Sequence, residues 1–87
     1  MRYMHSESYL DRGDLAVVTL DSQANVMLMD DINFSAYRSG SSYRYHGGLA
    51  ERSPVRLPAP HAGHWNVVVD LGGYAGSVRA GVSFLRN

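Results

Sequence analysis

The chain has 87 residues, eight acids balanced by eight arginines, no lysine and no cysteine. That length suits one small domain spanning 1–87, with a thin core, because a chain of this size buries only about 60–65% of its unfolded surface. The missing cysteines exclude disulfides, thiol nucleophiles and thiolate ligands and fit a reducing compartment, and zero net charge argues against the broad basic footprint of a nucleic-acid binder.

Met1 to Glu7 lack an apolar h-region and reach an acid early, so they do not read as a signal peptide. Tyr3 to Leu10 reads as a first strand, ended by the turn Asp11-Arg12-Gly13-Asp14. Leu15 to Leu20 and Asn25 to Asp30 follow as two short apolar strands joined by Asp21-Ser22-Gln23-Ala24. Their apolar runs, Leu15 to Val18 and Val26 to Met29, are the longest in the chain and far too short to span a bilayer. The chain therefore reads as soluble and cytoplasmic, with no membrane partner. The second strand is apolar on both faces, which suits a central strand or one covered by a loop or a partner subunit.

Asp31 to Gly40 breaks the pattern. Asp30 or Asp31 can cap a helical turn, and Ile32, Phe34 and Tyr37 are taken to share its face. The expectation is one irregular or 3₁₀ turn, too short for an independent helix. Tyr43 to His46 reads as a strand ended by Gly47-Gly48, and Ser53 to Leu57 as another, with Pro54 at its start.

The C-terminal third has the clearest period of two. Trp65, Val67, Val69 and Leu71 alternate with His64, Asn66, Val68 and Asp70, and Val78, Ala80, Val82 and Phe84 alternate with Ser77, Arg79, Gly81 and Ser83. The glycines of Gly72-Gly73-Tyr74-Ala75-Gly76 predict a hairpin joining these two strands, with Tyr74 exposed at its tip. Trp65, among valines, is assigned to the core. About seven short strands with frequent turn signals predict an all-β fold, a small antiparallel β-sandwich of jelly-roll or immunoglobulin-like type. A small closed barrel is the second choice.

The residues Asn25 to Phe34, then Tyr45-His46-Gly47-Gly48, then Arg52 to Leu57 and Pro60-His61-Ala62-Gly63-His64-Trp65 through Gly73 resemble a small bacterial family of uncharacterised all-β proteins, a domain of unknown function. The resemblance covers nearly the whole chain. Members of that family occur alone or attached to TIR domains, which cleave nicotinamide dinucleotide in bacterial defence, and this implies a partner or sensor role. Pro60-x-x-Gly63-x-Trp65-x-Val67-x-Val69 is also similar to the closing strands of bacterial jelly-roll binding modules, which bears on fold more than on function.

Charge is unevenly spread. Residues 1–37 hold two arginines against six acids, net −4, and residues 38–87 hold six against two, net +4. The sharpest feature is Arg38 to Arg56, where Arg38, Tyr43, Arg44, His46 and Arg52 form a candidate ligand-binding set for phosphate, carboxylate or a stacked base. The plainer reading is that these arginines pair with the acidic N-terminal half. His61 and His64, with His5 and His46, invite a metal, but one close pair without cysteine falls short of a zinc set. Turn anchoring explains the His at this corner better. Asp30, Asp31 and Asn33 lack the spacing of a calcium loop and suit helix capping. No nucleophile elbow is present.

The function read from sequence is thus a non-catalytic binding or interaction module, not an enzyme and without a cofactor. Its partner is expected to be a protein or its own copy. The alternative is a sensor of an anionic small molecule or nucleotide.

Overall fold

The computed structural model describes residues 3–71 and 76–87. Seven strands and one helix follow in the order β1 (Tyr3–Leu10), β2 (Leu15–Leu20), β3 (Ala24–Met29), α1 (Asp31–Ser39), β4 (His46–Ala50), β5 (Val55–Pro58), β6 (Gly63–Asp70) and β7 (Ala80–Leu85). The larger sheet has the order β1-β6-β3-β4 and the smaller β5-β2-β7, with every pairing antiparallel. This is the small β-sandwich that the alternating strands predict.

The interior between the sheets follows from the period of two. Ala16 and Val18 of β2 face Val26 and Leu28 of β3 and Trp65, Val67 and Val69 of β6, all at most 2% exposed. Leu20, Leu57, Val82 and Phe84 close the same core from the smaller sheet. Trp65 lies in the core as assigned, and its indole N–H donates to the His61 carbonyl at 3.0 Å.

A second apolar layer lies on the other side of the larger sheet. Met27, Met29 and Val68 point outward from β3 and β6 and are covered by Phe34 and Tyr37 of α1. This resolves the two-faced apolar character of β3: it is a central strand, and its outer face is covered by the chain's own helix rather than a partner.

Three expectations are corrected. The segment after Asp30 is a nine-residue α-helix, not a single irregular turn. The Asp30 side chain caps it, accepting from the Asn33 amide at 2.8 Å, and Gly40 ends it at φ 79°. A helix this short is marginal alone. Burying a Phe or Met side chain contributes about 1.5–3 kcal/mol, so the packing of Phe34 on the methionines stabilises what propensity cannot. Only Phe34 and Tyr37, three apart, share the buried face, while Ile32 is 82% exposed.

The strand expected at Tyr43–His46 begins instead at His46 and runs through Gly47 and Gly48. The glycines do not stop it, and Gly47 allows a close approach to β3. A Cβ on Gly47, at φ 111°, would collide with the Val26 carbonyl oxygen.

The third correction is topological. β6 and β7 do not form a hairpin. β6 pairs along its length with β1 on one edge and with β3 on the other, and β7 pairs with β2 in the opposite sheet. A strand has two edges, and both edges of β6 are taken. The loop residues 72–75, with the predicted exposure of Tyr74, lie outside the described residues; Gly76 has the positive φ expected of it, 116°. Among the described residues no helix is long and apolar enough to cross a membrane.

Candidate functional site: a concavity at the end of the sandwich

Where β3 runs into α1 and the β5–β6 corner passes beneath β4, a concavity of about 650 Å³ opens. Its walls include Asp30 and Asn33 from α1's start, Tyr43 to His46 from the segment entering β4, and His61 with the edge of Trp65 from the corner. The wall is fixed from behind: the Arg44 amide donates to Asn33 Oδ1 at 2.7 Å, and Asn33 Nδ2 donates to Asp30 Oδ1 at 2.8 Å. The Tyr43 ring packs edge-on against Tyr37 at 5.2 Å and tilted against Tyr45 at 5.7 Å. Burial, and next the charge of Asp70, push the Tyr43 phenol up, so it stays neutral.

Three of the five residues singled out from sequence, Tyr43, Arg44 and His46, meet here. The other two do not. Arg38 sits in the last turn of α1 with its guanidinium 5.6 Å from the centre of the Phe34 ring. Arg52 lines a separate depression of about 430 Å³ with Gly47 to Glu51. The arginines of the basic segment are not consumed by the acidic half. Among the described residues the only arginine ion pair is Arg86 to Asp14 at 3.2 Å.

The four histidines divide into two pairs on opposite sides of the larger sheet. His46 and His61 flank the Trp65 indole, at 6.0 and 4.9 Å between ring centres. His61 Nδ1 reaches the Ala62 carbonyl at 3.0 Å, the turn-anchoring role expected of a His at this corner. His5 and His64 lie on the outer face. Among the described residues, no group of three or more His, Asp or Glu is disposed to hold a metal ion.

That outer face carries a polar cluster invisible to spacing along the chain. His64 lies between two carboxylates, its Nδ1 2.7 Å from Asp31 Oδ1 on α1 and its Nε2 3.2 Å from Glu7 Oε1 on β1. Asn66 Nδ2 donates to the same Asp31 oxygen at 2.8 Å and to the Met29 carbonyl at 3.3 Å, and its Oδ1 lies 2.8 Å from His5 Nε2. Hydrogen bonds from Asn66 and then His64 hold the Asp31 carboxyl below its ordinary value, and the Asp31 bond foremost holds the His64 imidazole above its own. The signal that places Glu7 here is the register of β1 on β6, with Glu7 opposite Asn66 and Tyr9 opposite His64.

A buried pair lies further along the same face. The Tyr37 hydroxyl donates to Asp70 Oδ2 at 2.6 Å, and Asn25 Nδ2 donates to Asp70 Oδ1 at 3.0 Å. Burial first, then this bond, raise the Tyr37 phenol far above its ordinary range.

Among curated proteins and among solved structures, no match was found. The whole chain, residues 1–87, matches the family described as a domain of unknown function, DUF1883, and the protein belongs to that family.

Proposed function

We propose that this domain is a non-catalytic binding module acting in the cytoplasm, and that its ligand is a small molecule carrying an anionic group. The observation that carries this reading is Arg44. It is exposed, makes no ion pair among the described residues, and stands on a fixed backbone in a concavity it shares with His46, His61 and Tyr45. A guanidinium with imidazoles beside it offers the forked donors that phosphate or carboxylate takes. About 650 Å³ lies within the range of small-molecule sites. Tyr45, 46% exposed, offers a ring face to a planar group. The non-catalytic part rests on the sequence, which holds no cysteine and no nucleophile elbow. The partner or sensor role implied by the family resemblance agrees with it.

A protein partner is the second reading, favoured by the edge strands β1, β4, β5 and β7, whose outer edges pair with no strand among the described residues. It loses one motivation, because α1 covers the outer face of β3.

A thermal-shift series against sulfate, phosphate and mononucleotides, with light scattering on the same sample, tests both. A ligand at a hundred times its Kd adds about 2.7 kcal/mol, roughly 10–20 °C for a domain of this size. The shift disappears in the Arg44→Ala/His46→Ala double variant. No shift in the native protein, or a shift that survives the double substitution, overturns the anion reading. No shift with a mass above the monomer's supports the protein partner instead.

A further inference from the structure

We propose that His64 is a proton-operated clip that fastens the first turn of α1 to the larger sheet and thereby sets the α1 wall of the concavity. The groups facing it come from three elements: Asp31 of α1, Glu7, His5 and Tyr9 of β1, and Asn66 of β6. Asp31 and Glu7 lie at hydrogen-bond distance from its two ring nitrogens, and the Tyr9 ring lies tilted against it at 4.8 Å between centres. His5 lies 3.7 Å from the other Glu7 oxygen and joins Asn66, which bonds Asp31.

The chemistry of imidazole makes this arrangement two-state. The cation donates from both nitrogens and bridges both carboxylates. The neutral ring has one N–H, so one carboxylate faces a lone pair. Protonation therefore decides whether β1 and α1 are joined through His64 or only one of them is held. The folded protein favours the charged form of His64 above its ordinary value of 6.5. The bridge's contribution is thus full below about 6.5 and lost as pH rises through the folded value. Asp31 is held below 3.8, so its own contribution fails only on acidification below that range. The clip is closed in mild acid and opens on the alkaline side.

The consequence follows along the chain. Asp31 is next to the cap Asp30, and one turn on Asn33 holds the Arg44 amide, so the clip, α1's first turn and Arg44 form one bonded series. That α1's position governs ligand affinity rests on the anion reading above, whereas the clip does not.

Two measurements separate them. The first uses no ligand: an NMR pH titration of the His64 ring with the Asn33 and Arg44 amides, in the native protein and in Asp31→Asn. His64 titrates above 6.5, both amides follow with the same midpoint, and Asp31→Asn lowers that midpoint and uncouples Arg44. A His64 midpoint at or below 6.5, or an Arg44 amide indifferent to it, overturns the clip. The second measures sulfate affinity, a probe of constant charge, at pH 6 and pH 8 in the native protein and in His64→Gln. The change between the two pH values is about fivefold smaller in the variant. An equal change in both ends the control of the concavity. If the first result holds and sulfate binds nowhere, the clip stands and the anion reading falls.

Discussion

The two faces of the larger sheet are built from different chemistry. The inner face, turned to the smaller sheet, is aliphatic: Val26, Leu28, Val67 and Val69 around Trp65. The outer face carries methionines under aromatic rings, with Tyr3 edge-on to Phe34 and Tyr37, His5 stacked on Phe34, and buried Asn66 and Asp70 beneath α1. Burial of apolar surface holds the inner face together, and it is indifferent to proton concentration. The outer face adds directional bonds between groups that titrate. A small sandwich can therefore keep an apolar core on one side of a sheet and place a cluster of titrating groups on the other.

The comparison is broken most severely from the inside. Trp65→Ala removes the largest side chain of the inner core together with its bond to His61, and costs about 3–5 kcal/mol. That is a large part of the roughly 5–15 kcal/mol available to a domain. Urea unfolding measures it, and a loss under about 1 kcal/mol would mean that the inner core does not carry the stability of the sandwich.

The outer face is probed without changing its shape. Tyr37→Phe removes only the hydroxyl that donates to the Asp70 carboxylate, and costs about 1.5–3 kcal/mol, the range for bonds to charged groups. A loss under about 0.5 kcal/mol in urea unfolding would mean that this bond adds nothing to the aromatic packing of α1, and the contrast between the faces would narrow.

The inner face was legible because its pattern is local: alternate residues of β2 and β6 are aliphatic, and a period of two needs no partner to be read. What the sequence could not carry were pairings. A glycine-rich link after Leu71 is as compatible with an arch between sheets as with a hairpin, and only the occupied edges of β6 decide. The length of α1 depends on Met27 and Met29 beneath it, which no local propensity contains. The concavity was half legible: Tyr43, Arg44 and His46 announce themselves by composition, but Arg38 and Arg52 diverge because α1 and the β4–β5 turn direct them elsewhere. The Glu7–His64–Asp31 contact joins residues 57 and 33 positions before His64, brought to it by the β1–β6 register and by the packing of α1 on β6.

The smallest expected effect tests how α1 is oriented. Spacing alone put Ile32 with Phe34 and Tyr37, but residues two apart on a helix point about 160° apart, whereas three apart lie about 60° apart on one face. Phe34 and Tyr37 are 9% and 3% exposed, and Ile32 82%. Ile32→Gln therefore stays within about 0.5 kcal/mol of the native protein, as surface substitutions do. Gln also has a helix propensity at least as good as Ile. Urea unfolding that shows a loss above 1 kcal/mol would mean that Ile32 is covered in solution, by a rotated helix or by a second molecule. Analytical ultracentrifugation of the native protein tells these apart, since only the second raises the mass.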